Sequence, residues 1–263
     1  SPELAGGDTA ILDLNGFNET INGLTANTDG TAIIDNTAAT AASLTFGANN
    51  SAVSFGGGIG TYTIQNSGGG ALSITKTGTA AMTIPTGVTL TYTGTTNVNG
   101  GSMTIASALN GTTGLSVTNT GSTLALTGGL TTPSTITSVV VENGGTLSLL
   151  DGAGNKINSL TTLQLGSTGG TMTTLNFNVG DLNIDGDELS TDTLTLLTGG
   201  NLSLFAGNKI TFNLTDTGLN PLQTYELLNF VDGGFTSGPL SNLDYLLGAT
   251  PGGFDSQIGR AHV

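Results

Sequence analysis

An acidic segment, Asp181–Asp192, holds the side chains of this 263-residue chain that are best spaced to bind a metal ion. Acidic and amide residues stand at positions 1, 3, 5, 7 and 12 of a calcium-binding loop, and Gly186 stands at position 6, where such a loop turns sharply. The candidate ligands are Asp181, Asn183, Asp185, Asp187 and Asp192. However, Glu188 replaces the usual apolar residue at position 8, and no amphipathic helices flank the segment. We therefore prefer an acidic loop between two coils and keep calcium binding as the alternative.

Catalytic side chains are sparse in the rest of the chain. His262 is the only histidine, so a Ser–His–Asp triad or a histidine metal site has no other histidine to use. Asp185 and Asp187 could act as an acid and base pair, but two residues apart on a turn they are expected to be solvated. We predict no catalytic residues, no cofactor and no enzyme activity.

Other patterns that resemble binding motifs are predicted to be structural. Residues 151–155 (DGAGN) resemble a calcium nonapeptide repeat but lack its second Asp and occur once, and residues 56–60 (GGGIG) lack the spacing and the following helix of a dinucleotide-binding loop. Both are predicted turns. Tyrosines could stack on sugars, but they are so widely spaced that we expect them to cap the core or face solvent; they are Tyr62, Tyr92, Tyr225 and Tyr245.

Charge and composition exclude several function classes. Four Lys and Arg residues stand against 18 Asp and Glu residues, which gives a net charge of −14, and the three lysines are isolated from one another. Because binding to a phosphate backbone needs clustered cations, we expect neither nucleic acid nor an anionic membrane surface as a partner. The chain has no cysteine and no apolar run long enough for a transmembrane helix. Its first residues form no signal peptide, and we interpret it as an internal fragment.

Short strands, each preceded by a glycine turn, are the elements that would position the candidate functional residues. In Gly87–Ile105, Val88, Leu90 and Tyr92 alternate with threonines, which is the period of a strand with one buried face, and Gly100–Gly101 then breaks the strand. The same motif, a glycine turn followed by a short strand, recurs at 121–126, 144–149, 169–174 and 199–204. Counted from the glycine before each strand, the steps are 20, 24, 25 and 30 residues. A repeat of this length indicates a solenoid that adds one coil per repeat.

The repeat predicts an all-β, elongated parallel β-helix with almost no helix. Asn-Gly and Asp-Gly pairs alone would also fit an antiparallel meander of hairpins, but the longer repeat favours coils. We assign residues 1–205 to coils of roughly 20–30 residues, 206–255 to terminal coils or a cap of different character, and 256–263 to a disordered or artefactual tail. Within 206–255, residues 239–247 are predicted to form a helical turn or a closing loop.

Individual strands follow from the same alternation. They are predicted at 10–14, 17–24, 32–34, 42–46, 61–64, 71–76, 80–84, 87–93, 102–106, 114–118, 123–127, 139–141, 147–150, 163–165, 175–179 and 210–214. In one of them, Leu147 should point inward and stack on Leu124 of the preceding coil, while Ser148 should point outward. A slip of one residue would exchange these two faces.

Residues Thr89–Ile105, which include TYTGTTNVNGGSMTI, resemble the autotransporter-associated β-strand repeat, whose usual form is a TLTL strand, a Thr/Tyr/Gly turn and TTVNGGTL. The resemblance is close over 12–24 and 79–105 and looser over 106–205, where the coil lengths drift. It implies a right-handed parallel β-helix exposed at the surface of a Gram-negative-type bacterium. It also implies an extracellular or outer-membrane-associated location and a barrel or sorting segment that continues the chain outside this piece.

The expected function is that of a non-enzymatic passenger or stalk segment for adhesion or self-association. Its expected partners are host, matrix or self surfaces. One alternative is a polysaccharide-active β-helix enzyme, which would need three or more acids on one face of neighbouring coils. The other is a calcium-stabilised carbohydrate-binding module.

Overall fold

The computed structural model describes residues 8–26, 29–130, 134–179, 192–205, 209–216, 227–231 and 244–247. Within these ranges the chain forms 21 strands in three sheets and no α-helix. The strand pairings within these sheets are all parallel. The predicted all-β class and the near-absence of helix are therefore confirmed.

The first sheet has four strands near the start of the chain. They are ordered β1 (Thr9–Asp13), β3 (Thr31–Asp35), β6 (Thr61–Ile64) and β9 (Val88–Leu90). Alternate residues of each strand point inward, and Ile34, Ile64 and Leu90 lie in register and are buried. Each of these side chains packs on the one from the next coil, because hydrogen bonds hold neighbouring parallel strands about 4.8 Å apart.

The second sheet has nine strands. They are ordered β2 (Glu19–Ile21), β4 (Ala42–Phe46), β7 (Leu72–Lys76), β10 (Thr95–Val98), β12 (Gly114–Val117), β14 (Ser138–Val141), β16 (Lys156–Leu165), β18 (Thr193–Leu204) and β20 (Leu228–Phe230). The inward row formed by Val98, Val117 and Val141 is fully buried. Asn97 and Ser116 take the outward positions beside Val98 and Val117, and Val140 takes the equivalent position beside Val141.

The third sheet has eight strands. They are ordered β5 (Val53–Ser54), β8 (Met82–Ile84), β11 (Ser102–Ile105), β13 (Thr123–Leu126), β15 (Thr146–Ser148), β17 (Thr173–Val179), β19 (Lys209–Asp216) and β21 (Asp244–Leu247). Leu147 lies in register between Leu124 and Leu175, and all three side chains are buried. The predicted stacking of Leu147 on Leu124 is confirmed.

The chain visits the sheets in turn, so that β3, β4 and β5 belong to different sheets and β6 returns to the first. Parallel neighbours need a crossover connection, and here the strands of the other two sheets supply it. This winding is compatible with the predicted parallel β-helix. After β9 the first sheet ends, and residues 106–113 and 127–137 connect the third sheet to the second.

Several local predictions are wrong. Residues 95–98 form β10, which was not predicted, whereas the strand predicted at 87–93 ends at Leu90. Residues 244–247 form a strand rather than a helical turn or a closing loop. The copy of the repeated motif at 199–204 pairs with β16 in the second sheet, while the four earlier copies of the motif belong to the third sheet.

The later coils are longer than predicted. In the third sheet, Ser102 pairs with Thr123, 21 residues further on, whereas in the second sheet Thr162 pairs with Asn201, 39 residues further on. Both later sheets continue beyond residue 206 through β19, β20 and β21. The assignment of 206–255 to a cap stays a prediction, and residues 256–263 lie outside the described residues.

Ser148 does not lie on an open outer surface. It stands in register between Ala125 and Asn176, as an outward residue should, yet only 7% of it is exposed. The predicted direction of its side chain therefore fits the register, but the predicted exposure is wrong.

Candidate functional site

Only Asp192 of the five predicted calcium ligands belongs to the described residues. Asp181, Asn183, Asp185 and Asp187 all lie outside them, so calcium binding by these four stays a prediction. Asp192 directly precedes β18, at the corner where the chain passes from the third sheet towards the second. It is fully buried.

Backbone and side-chain amides surround the Asp192 carboxylate. Its Oδ1 accepts hydrogen bonds from the backbone N–H of Asn155 at 2.8 Å and from Asn155 Nδ2 at 3.1 Å, and its Oδ2 accepts the backbone N–H of Asn178 at 2.5 Å. Asn155 Oδ1 in turn accepts the backbone N–H of Leu130 at 2.9 Å. The carboxylate and the amide thus join three successive coils. Position 12 of a calcium loop would need both Asp192 oxygens on the cation, and both already accept N–H groups.

Burial dominates the electrostatics of Asp192. It raises the pKa of the carboxyl to about 7, against the opposing effect of the Asn155 and Asn178 hydrogen bonds, and the nearby Asp151 carboxylate raises the pKa further. Asp151 itself accepts the backbone N–H of Ala153 at 2.8 Å and Asn178 Nδ2 at 3.2 Å, both through Oδ1. These bonds close a bend at residues 151–153, as predicted for a turn at 151–155.

A second buried polar group, Lys76, was not singled out by the sequence. It is the last residue of β7, and only 1% of it is exposed. Its Nζ donates to the backbone carbonyl oxygens of Thr77 at 2.6 Å, Gly78 at 3.0 Å and Gly100 at 3.0 Å. Burial alone lowers the pKa of Lys76. Its position after Leu72 and Ile74 in the alternation was the signal that places it inside.

The first and second sheets meet at a corner built from Asp and Asn side chains. Asp13 accepts Thr37 Oγ1 at 2.7 Å, and Asp35, one coil further, accepts Ser67 Oγ at 2.8 Å. Asn36 is fully buried; it accepts the backbone N–H of Gly16 and donates to the carbonyl oxygens of Thr40 and Gly70, each at 2.8 Å. These bonds again link successive coils.

Two of the four tyrosines are unavailable for stacking on sugars. Tyr62 is 3% exposed, and Tyr92 is fully buried with its hydroxyl 2.6 Å from Thr96 Oγ1. They cap or fill the core, as the preferred interpretation predicted. Tyr225 and the side chain of Tyr245 lie outside the described part of the structure.

The described acids do not assemble into a catalytic or metal-binding constellation. Among the described ranges, no group of three or more His, Cys, Asp or Glu side chains is placed to hold a metal ion. The proposed acid and base pair, Asp185 and Asp187, falls outside these ranges, as does His262.

Comparison of the chain with protein-family models, with curated proteins and with solved structures finds no match. The described residues include no helix that is both long and apolar enough to cross a membrane.

Proposed function

We propose that this chain is a passenger-type segment, a right-handed parallel β-helix displayed at a bacterial surface, that acts through the surface it presents and not through catalysis. The observation that carries the proposal is the continuous parallel strand pairing of the nine-stranded and eight-stranded sheets around an apolar interior. Each coil contacts its neighbours through parallel strand pairs, which is the construction of a solenoid. Such a stack extends a surface in one direction without needing a pocket.

The outer face of the second sheet supports this proposal. Asn97 lies in register with Thr75 of the preceding coil, and the backbone N–H of Thr95 donates to Ser73 Oγ at 3.1 Å. All four side chains are half-buried. Asn97 Nδ2 donates to Thr75 Oγ1 at 3.2 Å and to Thr95 Oγ1 at 3.0 Å. Their polar groups therefore bond within the face, and a face of neutral polar side chains at these coils is suited to adhesion or self-association.

Display of the segment on bacterial cells tests the function. Cells that present the chain should settle together, or adhere to immobilised matrix proteins, more than cells that present an unrelated domain of similar size. Leu147→Asp, which puts a carboxylate into the apolar stack, should abolish the gain, while Thr83→Asp at an exposed position of β8 should preserve it. Adhesion no greater than that of the unrelated domain contradicts the proposal.

A polysaccharide assay tests the competing enzyme hypothesis in the same material. The purified chain should release no reducing ends from neutral or acidic polysaccharides. Reproducible release that Asp185→Asn abolishes would replace the passenger proposal with an enzyme.

A further inference from the structure

Lys76 occupies a position that its neighbours reserve for apolar side chains. It lies in register with Phe46 of the preceding coil and Val98 of the next one, and both are buried. Its methylene groups continue this row, whereas the ammonium lies at the end of β7, against the turns that follow β7 and β10. A buried ammonium is costly unless each of its protons has an acceptor.

Three acceptors meet at the Lys76 ammonium. The carbonyl oxygens of Thr77, Gly78 and Gly100 lie 2.6–3.0 Å from Nζ, and an ammonium has three protons to donate. Among the described residues no acid forms an ion pair with Lys76, and burial lowers its pKa. Within the described part of the chain, the charge is therefore solvated by neutral carbonyl dipoles.

Backbone packing between the turns holds these carbonyl groups in place. Gly78 has a φ of +71°, and a Cβ added to it would lie 2.0 Å from the carbonyl oxygen of Gly47. A Cβ added to Gly100 would lie 2.7 Å from the carbonyl oxygen of Gly78. Both positions thus require glycine, and the close backbone contacts fix the carbonyl directions independently of the lysine.

We propose that the carbonyl oxygens of Thr77, Gly78 and Gly100 form a binding site for a monovalent cation of the size of ammonium or potassium, and that the Lys76 ammonium is its tethered occupant. Converging backbone carbonyls replace the hydration shell of such ions in protein sites. The lysine supplies the same charge at the same place without the entropy cost of capturing a free ion. When the head group is removed, the site takes up a free cation.

The variant Lys76→Met tests this site, because methionine keeps an unbranched apolar stem and removes the ammonium. Thermal unfolding is followed in ammonium chloride, potassium chloride and choline chloride at equal ionic strength. The midpoint of the variant should rise with ammonium or potassium concentration and not with choline, since only an ion that binds the folded state stabilises it. The midpoint of the unsubstituted protein should not distinguish the three salts.

Lys156→Met is the matched control, because it removes a half-buried lysine at the start of β16. It should show the same response to all three salts. A Lys76→Met protein that folds but also fails to distinguish the salts overturns the proposal.

If Lys76→Met does not fold in any of the salts, ¹⁵N spectra of the unsubstituted protein decide the question. One lysine ammonium should give a resonance at neutral pH whose protons exchange slowly with water, and Lys156→Met should retain it. The absence of such a resonance overturns the proposal.

Discussion

Truncation of Leu147 tests the inward register of the third sheet. The side chain is 1% exposed and lies between Leu124 and Leu175, which are both fully buried. Removing it from water accounts for roughly 1.5–3 kcal/mol. Strand pairs on both sides of β15 limit how far the neighbouring coils can collapse into the space, so a cavity term adds to this loss. We expect Leu147→Ala to lower the free energy of unfolding by about 2–5 kcal/mol.

Aspartate substitutions along the same sheet sharpen the test. Leu147→Asp should cost more than Leu147→Ala, because an unpaired carboxylate would enter an apolar stack. Thr83→Asp is the control, since Thr83 stands between two buried residues of β8 but faces water. Ser148→Asp should give an intermediate loss, because Ser148 faces outward but is only 7% exposed.

Urea unfolding followed by far-UV circular dichroism measures these effects. Both the midpoint and the slope are needed, because long repeat arrays can lose all-or-none unfolding, and only a midpoint change at constant slope reports stability alone. A larger loss for Thr83→Asp than for Leu147→Asp would refute the assigned faces. If Ser148→Asp left the free energy of unfolding unchanged, the burial of Ser148 on the outer face would be refuted.

Three further perturbations have defined outcomes. Burial raises the pKa of Asp192 from 3.8 to about 7, so the stabilising contribution of Asp192 to the folded state is complete below about pH 4 and is lost as the pH rises through 7. The free energy of unfolding should fall by about 4 kcal/mol over this range, and Asp192→Asn should flatten this part of its pH profile. Calcium should raise the melting midpoint only modestly, and a large rise that Asp181→Ala removes would instead identify a calcium site. Asn36→Ala should lower the free energy of unfolding by about 1–3 kcal/mol, measured against exposed Asn49→Ala, because it leaves the buried carbonyl of Gly70 unpaired.

Strands with a clear apolar alternation could be predicted from the sequence. The strands at 42–46 and 61–64 have the predicted bounds, since alternate residues of each are buried against the next coil. The strand β10 was missed because its inward position holds Thr96, which the alternation rule treats as an outward residue. Thr96 is nonetheless fully buried, and its Oγ1 lies 2.6 Å from the Tyr92 hydroxyl. A polar partner from the same coil thus replaces apolar packing.

The sheet to which a repeat belongs could not be predicted from the repeat itself. Residues 199–204 have the same glycine turn followed by a short strand pattern as the earlier copies, yet they pair with β16. β16 and β18 are longer than the earlier strands, and their pairing contains register shifts around Leu160. Such irregularities bend a strand from one face to the next. Local alternation carries no information about where that bend falls.

The buried polar groups were hidden for a related reason. Lys76 occupies an inward position of a strand that was predicted, but an inward lysine needs acceptors, and one of them comes from Gly100, 24 residues away. Asn155 and Asp192 likewise meet across 37 residues. The spacing of residues within one loop therefore could not reveal these polar sites, because each site is formed by residues from neighbouring coils that the strand pairing brings together.

Asp13, Asp35 and Asp192 act as corner acceptors between coils, and the burial of each carboxylate decides how it responds to pH. At Asp13 the hydrogen bonds from Thr37 and Asn15 lower the pKa, and at Asp35 burial raises the pKa but bonds from Ser67 and Gln65 outweigh it, so the pKa is again lowered. These two corners lose their stabilising contribution as the pH falls through the lowered pKa values. At Asp192 burial outweighs the same kind of bonds, so that corner is weakened as the pH rises. Acid should therefore loosen the coils around Asp13 and Asp35 first, while neutral pH already costs the coil at Asp192 part of its stability.

Hydrogen exchange of the backbone amides of Thr37 and Asn178, which donate to Asp13 and Asp192, should show opposite pH trends in protection once the intrinsic exchange rates are corrected for. Parallel trends at both amides would contradict this assignment.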